Sequence, residues 1–158
     1  KYAITGNHEF YAGLSQAIDF TKKAGFTVLR GESRTIDGIL NIAGIDDITG
    51  RYYSENFLSE HELLVHLPQD MFTIFLKHRP VVNKDTTGLF DLQLSGHVHK
   101  GQIFPFTYMT RLAYRMPSGL TSIGRNALLY VSRGTGYWGP PLRVGSPSEI
   151  TLIKLISG

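Results

Sequence analysis

The chain has 158 residues, of which 42% are hydrophobic and 18% are charged. These fractions are typical of a globular protein and exclude a disordered chain, a collagen-like repeat and a coiled coil. The sequence has 16 Lys and Arg residues against 13 Asp and Glu residues. So small a positive excess, without a long basic run, favours an ordinary surface over a patch for nucleic acid or lipid, and we expect no nucleic-acid partner.

The absence of cysteine excludes disulfides, thiolate metal sites and a cysteine nucleophile. Any metal ion would have to be bound by His, Asn, Asp or Glu. No apolar run approaches the roughly 18 residues that a membrane-spanning helix needs, so we do not expect this chain itself to cross a bilayer. The sequence starts at Lys1 without an initiator Met or a signal-peptide pattern, and we expect it to be cut from something longer.

The first part of the chain predicts alternating strands and helices. Residues 2–5 read as the end of a strand that runs into a Gly-Asn-His-Glu loop at 6–9. Apolar residues at helical spacing predict a helix over 14–24, which the following glycine ends. Short β-branched runs bounded by glycine predict two further strands, at residues 26–29 and 39–45.

A capping-box pattern marks the next helix. Ser59 and Glu62 have the required spacing and predict a short helix that runs through Leu67, where a proline follows. A buried strand is predicted at 72–76, directly before His78.

The last part of the chain contains less regular segments. Residues 89–94 lead, as a helix end or a strand, into a loop at 95–102. The segment 105–119 predicts a surface loop or a short helix. The last predicted strands are 127–132 and 149–156. No linker divides the chain, so we predict one α+β unit.

Four of the six histidines lie in loops that follow predicted strands, where a sheet can hold ligands rigidly. They are His8, His78, His97 and His99. Because residues i and i+2 of an extended segment share a face, His97 and His99 can reach one metal ion or two adjacent ions. The other two, His61 and His66, lie on the short predicted helix and are interpreted as structural.

Three motifs resemble, in order and spacing, those of the calcineurin-like metallophosphoesterases. They are Gly6-Asn7-His8-Glu9, the isolated His78 after a hydrophobic strand, and Gly96-His97-Val98-His99. The segments 91–106 and 130–155 resemble the branch of this family whose bacterial members carry amino-terminal transmembrane helices. The resemblance covers essentially the whole chain.

This resemblance implies part of a four-layer α/β/β/α sandwich, with two packed mixed sheets flanked by helices. Residues 1–158 would be the carboxy-terminal portion of a single phosphoesterase domain that lacks its first strands. The family's Asp-x-His and Gly-Asp-x-x-Asp motifs do not occur in the chain, and Asp19, Asp46 and Asp47 follow the Asn-His motif instead of preceding it. Those motifs supply the remaining ligands of the first metal and the carboxylate that bridges both metals.

The resemblance also implies roles for individual residues. Asn7, His78 and His97 resemble ligands of one metal of a dinuclear centre, and His99 resembles a ligand of the other. Imidazole nitrogen and amide oxygen suit Mn, Fe or Zn. Because the bridging carboxylate is missing, we expect partial or no occupancy of the two divalent sites in this chain. His8 resembles the proton donor to the leaving oxygen, in a phosphoester hydrolysis by metal-bound hydroxide.

Three cationic residues are candidates for substrate binding. They are Lys100, which stands where many family members have Gly, and Arg133 and Arg143. For the two arginines, a structural pairing is an equal alternative. The Gly-rich segment after Arg133 lacks the Lys-Ser/Thr pair of a nucleotide P-loop, so we interpret it as a turn that packs Tyr137 and Trp138 near the metal loops.

The segment 104–115 combines aromatic side chains with Arg111 and Arg115. It has two interpretations: core packing of a long loop, or a lip that faces substrate or a membrane, where aromatic and basic side chains are favoured. Its apolar and aromatic residues are Phe104, Phe106, Tyr108, Leu112 and Tyr114.

Two functional classes follow. The first is a metal-dependent phosphodiesterase or phosphomonoesterase, for which we expect a phospholipid-like substrate and membrane association in a bacterium through segments absent from this chain. The second is a non-catalytic metal-binding or interaction domain. We expect this chain to be inactive by itself, and to form homo-oligomers because missing strands would leave a sheet edge exposed.

Overall fold

The computed structural model describes residues 1–54, 57–114, 117–124 and 126–156. Within them lie eight β-strands and four α-helices. In chain order they are β1 (Tyr2–Ala3), α1 (Asn7–Ala12), α2 (Leu14–Lys23), β2 (Thr27–Val28), β3 (Glu32–Ile36), β4 (Leu40–Gly44), α3 (Glu60–Leu64), β5 (Phe72–Leu76), β6 (Leu92–Ser95), α4 (Phe106–Tyr114), β7 (Gly119–Ile123) and β8 (Ala127–Val131). Short 3-10 turns lie at Ile48–Tyr52, Lys84–Thr86 and His99–Gly101.

Six strands form one mixed sheet in the order β3-β4-β5-β6-β8-β7. The four central strands are parallel, and the two edge strands are antiparallel to their neighbours. Strands β1 and β2 form a separate two-stranded parallel sheet. The predicted α+β class is confirmed, and two sheets with flanking helices are consistent with part of a sandwich.

The hydrophobic core covers one face of the large sheet. Along β8 the residues alternate, with Ala127, Leu129 and Val131 buried and Leu128 partly exposed, which is the period expected of a strand with one packed face. Leu64, on α3, joins the same buried cluster. The predicted capping box of α3 is confirmed, because the Ser59 side chain and the Glu62 carboxylate each accept the other's backbone N–H.

The two sheets meet at a glycine. A Cβ atom on Gly44, at the end of β4, would lie 2.6 Å from Cβ of Leu29 and 2.7 Å from Cγ2 of Ile4. Such distances are impossible for a real side chain, so Gly44 permits the close approach of the small sheet to the large one. The contact between Gly44 and Ile4 fixes the position of the chain just after β1, where it leads to Asn7.

Two features in the first part of the chain differ from what the sequence predicts. The Gly-Asn-His-Glu segment is not a loop, because Asn7 begins helix α1 and the Glu9 carboxylate accepts the Gly6 N–H at 2.6 Å. Strand β3 was missed because its sequence is mostly polar and exposed, as suits an edge strand. The segment 105–119 contains a short helix, one of the two alternatives left open for it.

The strand predicted at 149–156 does not form. These residues have irregular backbone, and Ile150 and Leu152 are 92% and 95% exposed. A strand needs a neighbouring ladder of backbone hydrogen bonds. Here side-chain contacts hold the segment instead, from the Tyr130 hydroxyl to Glu149 and Thr151. In the described part of the chain, no helix is long and apolar enough to span a membrane.

Candidate metal centre

The site lies where two parallel strands end. Strands β5 and β6 are neighbours with the same direction, so the residues after them meet at one edge of the sheet. His78 follows β5 by two residues, and His97 follows β6 by two residues. The Gly96 N–H donates to the His78 carbonyl at 2.9 Å, which ties the two loops together.

Three donor atoms converge at this edge. Nε2 of His78 lies 3.0 Å from Oδ1 of Asn7 and 3.0 Å from Nδ1 of His97. Two ligands at right angles, each about 2.1 Å from one ion, lie about 3.0 Å apart. The distances from His78 to the other two predicted ligands are therefore compatible with a shared divalent ion, and all three side chains carry suitable donor atoms.

Helix α1 places Asn7 through a close backbone contact. A Cβ atom on Gly6 would lie 2.7 Å from Cε1 and 2.9 Å from Nε2 of His78, so the imidazole packs directly on the glycine backbone. Thr5, one residue earlier, donates its hydroxyl to Asp46 at 2.8 Å. The loop after β4 thus fixes the start of α1 beside the His78 ring.

Burial keeps two of the imidazoles neutral. Desolvation lowers the pKa of His78 to about 4, and the nearby Arg79 lowers it further while Asp47 opposes the shift. Desolvation and the neighbouring His78 lower the pKa of His97 to about 4. A metal ligand must be deprotonated, and both rings meet this condition at neutral pH.

A partly buried ion pair involves Arg79, the residue after His78. The Arg79 guanidinium donates to Asp47 through Nε at 2.8 Å and through Nη2 at 3.0 Å, and also to Thr49 at 3.2 Å. Burial raises the pKa of Asp47, but hydrogen bonds from Arg79 and Thr49 outweigh this and hold it below its ordinary value. The bidentate geometry orients the residue next to His78.

His99 is held by an arginine. Nη2 of Arg143 lies 3.0 Å from Nδ1 of His99, and because a guanidinium only donates, that nitrogen accepts and Nε2 carries the proton. Burial, and then the Arg143 charge, lower the pKa of His99. For His99 to bind a second metal ion, either the Arg143 contact or the Nε2 proton must be given up.

The turn that carries these residues has unusual backbone. Four non-glycine residues have positive φ: His97, His99, Lys100 and Gln102. Such conformations are costly for L-residues and concentrate at functional sites. At Gly101 a Cβ atom would lie 2.4 Å from the Thr107 backbone nitrogen, so helix α4 lies directly on the turn.

The histidines line a cavity of about 380 Å³. His8 lies at its exposed side, with its ring edge-to-face against Tyr11 at 5.9 Å. Helix α4 forms the opposite wall, and Tyr114 packs edge-to-face on His97 at 5.7 Å. The cavity therefore brings together all five predicted metal and proton-transfer residues: Asn7, His8, His78, His97 and His99.

The three predicted substrate-binding residues are separated. Arg143 contacts His99, as described, and also donates to the backbone carbonyls of Gly136 and Arg133. Arg133 pairs with Glu149 through Nε at 2.5 Å. Lys100 and Arg133 line a neighbouring pocket rather than the histidine cavity.

Most of the aromatic segment is exposed. Phe104, Phe106, Tyr108 and Leu112 are between 51% and 78% exposed, so they do not form core. Tyr114 alone of the five packs against the buried cluster. Arg115, which was grouped with them, lies outside the described residues. Trp138 lies near the metal loops as predicted, since it lines the histidine cavity and its carbonyl accepts from Gln102 at 2.8 Å.

Sequence analysis missed the residues that support the ligands. Gly6 was noted only as a motif residue, although its lack of a side chain makes room for His78. Asp47 does not lie in a family aspartate motif, and no motif includes Arg79. Their pairing joins residues 32 apart, so no local pattern reveals it.

No three His, Asp or Glu side chains form a metal-binding group by themselves within the described ranges. The convergent set depends on the amide oxygen of Asn7 together with two imidazoles. That set fits one divalent ion, and further ligands would have to come from other groups.

Comparison with known proteins gives consistent results. The chain is 39% identical over 157 residues to an uncharacterized metallophosphoesterase of Aquifex aeolicus, covering 98% of this chain and 60% of that protein. It is 38% identical over 157 residues to an uncharacterized metallophosphoesterase of Campylobacter jejuni, with 98% and 41% covered. It is 32% identical over 169 residues to a bovine transmembrane protein with metallophosphoesterase domain, with 98% and 38% covered.

These relatives confirm the resemblance to the calcineurin-like metallophosphoesterases, to which the chain is related over nearly its whole length. The chain spans between 38% and 60% of the length of the three relatives described. No protein-family profile matches it. No solved structure matches it either.

Proposed function

We propose that the complete protein containing this chain hydrolyses phosphoesters with the help of divalent metal ions. The observation that carries the proposal is the convergence of Asn7, His78 and His97, with atoms 3.0 Å apart and both imidazoles neutral. The relatives named metallophosphoesterases support the same reaction class.

In this proposal Asn7, His78 and His97 hold one divalent ion, and His99 contributes to a second. Bound ions of this kind polarise phosphoryl oxygens and offset the charge that develops during phosphoryl transfer. His8 lies at the mouth of the cavity and donates its proton to the oxygen of the leaving group. Tyr114 and the Arg79–Asp47 pair keep the two ligand imidazoles in place.

The finer features are also proposals. The metals are Mn, Fe or Zn, all of which accept nitrogen and oxygen ligands. The substrate is a phosphodiester or phosphomonoester of phospholipid-like character at a membrane surface. Exposed apolar side chains on α4, beside the cavity, support this choice, as do relatives named transmembrane proteins.

Activity of the complete protein tests the proposal. A chromogenic phosphodiester and the matching phosphomonoester would be assayed after metal removal and after addition of Mn, Fe or Zn. We expect hydrolysis of one of them that depends on metal and is lost in His97→Ala. His61→Ala is the matched control, because His61 lies on α3 outside the cavity. Absence of hydrolysis with every metal and both esters contradicts the proposal.

A second candidate is a non-catalytic metal-binding or interaction domain. It is favoured by the Arg143–His99 contact, which occupies one of the two nitrogens through which His99 could bind a second metal. In that case the complete protein binds one ion per chain, and hydrolysis stays at the uncatalysed rate with all metals. Elemental analysis beside the activity assay separates the two candidates.

A further inference from the structure

A second pocket lies against helix α4, beside the histidine cavity. It encloses about 480 Å³, and Val98 and Thr110 line both spaces. Phe106 and Met109 of α4 border the histidine cavity. Thr107 and Arg111, one helical turn apart, border the second pocket. The helix is therefore a partition between the two spaces.

The second pocket is rich in positive charge. Its lining includes three cationic side chains, Lys100, Arg111 and Arg133, against the single carboxylate of Glu149. That carboxylate is already saturated: it accepts from the Arg133 backbone N–H at 2.9 Å and from the Tyr130 hydroxyl at 3.0 Å, besides its ion pair with Arg133. The charges of Arg133 and Glu149 therefore offset each other within the pocket wall.

The remaining cations have no such partner. Within the residues that the structure describes, neither Lys100 nor Arg111 forms an ion pair. Lys100 is half-buried, and its backbone has φ 51° and ψ 33°. A lysine in this left-handed conformation is less stable than a glycine would be, yet the turn keeps one there.

Hydroxyl groups complete the lining. They belong to Thr107, Thr110, Ser118 and Tyr130. The Thr110 hydroxyl already donates to the Thr107 carbonyl and the Tyr130 hydroxyl to Glu149, which leaves those of Thr107 and Ser118 as the hydroxyl donors for a ligand. Ammonium, guanidinium and hydroxyl donors around one concave space form the donor set that tetrahedral oxyanions require. A carboxylate ligand would use fewer of these donors, so the set favours an anion with three or four oxygens.

We propose that this pocket binds a phosphate-type oxyanion. The inference rests on the proposed function only for the origin of that anion. It is either a second phosphate group on the substrate, whose scissile ester lies in the histidine cavity, or free inorganic phosphate. The shared wall at Val98 and Thr110 makes the first source geometrically direct.

The binding test uses the complete protein after metal has been stripped and the chelator dialysed away, so that the metal centre does not hold phosphate. Titration calorimetry with inorganic phosphate measures the affinity. We expect Lys100→Gln and Arg111→Gln each to weaken binding about tenfold or more, since each removes a charge-assisted contact. Lys22→Gln, on the exposed helix α2, is the matched control and leaves binding unchanged.

The conservative variant Lys100→Arg keeps the charge and retains most of the affinity, which separates loss of charge from loss of fold. Equal phosphate affinity in the parent, Lys100→Gln and Arg111→Gln overturns the proposal. So does a chain that binds no phosphate at millimolar concentration.

The source is then decided with two esters that differ only in a second phosphate group. If the substrate supplies the anion, the parent protein prefers the bisphosphorylated ester through a lower KM, and Arg111→Gln loses that preference. If free phosphate is the ligand, both esters have the same KM while the calorimetric binding persists. If the protein hydrolyses neither ester, the proposed function is wrong. The proposal of an oxyanion pocket is then still decided by the calorimetric titrations.

Discussion

The imidazole of His78 packs on the backbone of Gly6, where a Cβ atom would lie 2.7 Å from the ring. This contact places Nε2 of His78 3.0 Å from Oδ1 of Asn7, the next residue in the chain. A ring can move more easily than a backbone, so a side chain at position 6 would displace the ligand rather than unfold the protein.

We therefore expect Gly6→Ala to lower metal affinity about 10- to 100-fold, the range found when the support of a ligand is lost, with little change in stability. Metal titration of the complete protein measures this. Gly136→Ala is the control, because nothing lies within 4 Å of a Cβ atom there. Unchanged affinity in Gly6→Ala would show that the ring has room to adjust.

The ion pair of the buried Asp47 with the partly exposed Arg79 should contribute to stability. Asp47→Asn leaves the guanidinium, whose side chain is 30% exposed, without its charged partner, and we expect the free energy of unfolding to fall by about 2 kcal/mol. Urea denaturation at pH 7 measures the change. Glu32→Gln, which removes an exposed ion pair with Arg34, is the control and should cost under about 1 kcal/mol.

The same carboxylate predicts a pH dependence. Hydrogen bonds hold the pKa of Asp47 below its ordinary value of 3.8 in the folded protein. Its contribution is therefore complete above that ordinary value and is lost as the pH falls through the lower folded-state pKa. Between pH 5 and pH 2 the parent should lose more stability than Asp47→Asn does. If the free energy of unfolding falls equally with pH in both proteins, Asp47 is not the cause of the pH dependence.

His8 and His97 should respond differently to substitution in the complete protein. His8→Ala should keep the metal content and lower turnover by about 10²–10⁴-fold, the usual contribution of a general acid. His97→Ala should lose metal as well as activity. If His8→Ala lost the metals and His97→Ala kept them, the two roles would be interchanged.

The isolated 158-residue chain should bind metal weakly. It offers three convergent donors for one ion, and one histidine, engaged by Arg143, for another. Since each missing ligand removes much of the affinity, we expect less than one ion per chain by elemental analysis. Two tightly held ions per chain would contradict this donor count.

The isolated chain should also self-associate. Among the described strands, β7 pairs on one side only, and its Leu120 is 60% exposed. Such an edge favours pairing with a second copy. Light scattering should show oligomers that Leu120→Lys weakens, while Ile39→Lys, in an exposed turn, has no effect. A monomer at micromolar concentration would refute the expectation.

The sequence by itself determined the α+β class, the capped helix α3 and the family relationship. These follow from local signals: capping residues, β-branched runs, and motifs whose residue types suit one chemistry. The prediction of a strand at 149–156 from the sequence was wrong, because an alternating pattern becomes a strand only where a neighbour offers backbone hydrogen bonds. Strand β3 was missed as well, because its polar residues lack the pattern of a buried strand.

Only the tertiary structure decided which distant groups meet. The approach of His78 to His97, 19 positions apart, depends on parallel strands that end at one edge. Its approach to Asn7, 71 positions apart, depends on the packing of the Gly6 backbone against the His78 ring. The division of the cationic residues was also decided there: Arg143 contacts His99, while Lys100 turns into a different pocket. Sequence supplies the chemical groups, but the register of the sheet and the left-handed turn set their directions, because neither depends on neighbouring residues alone.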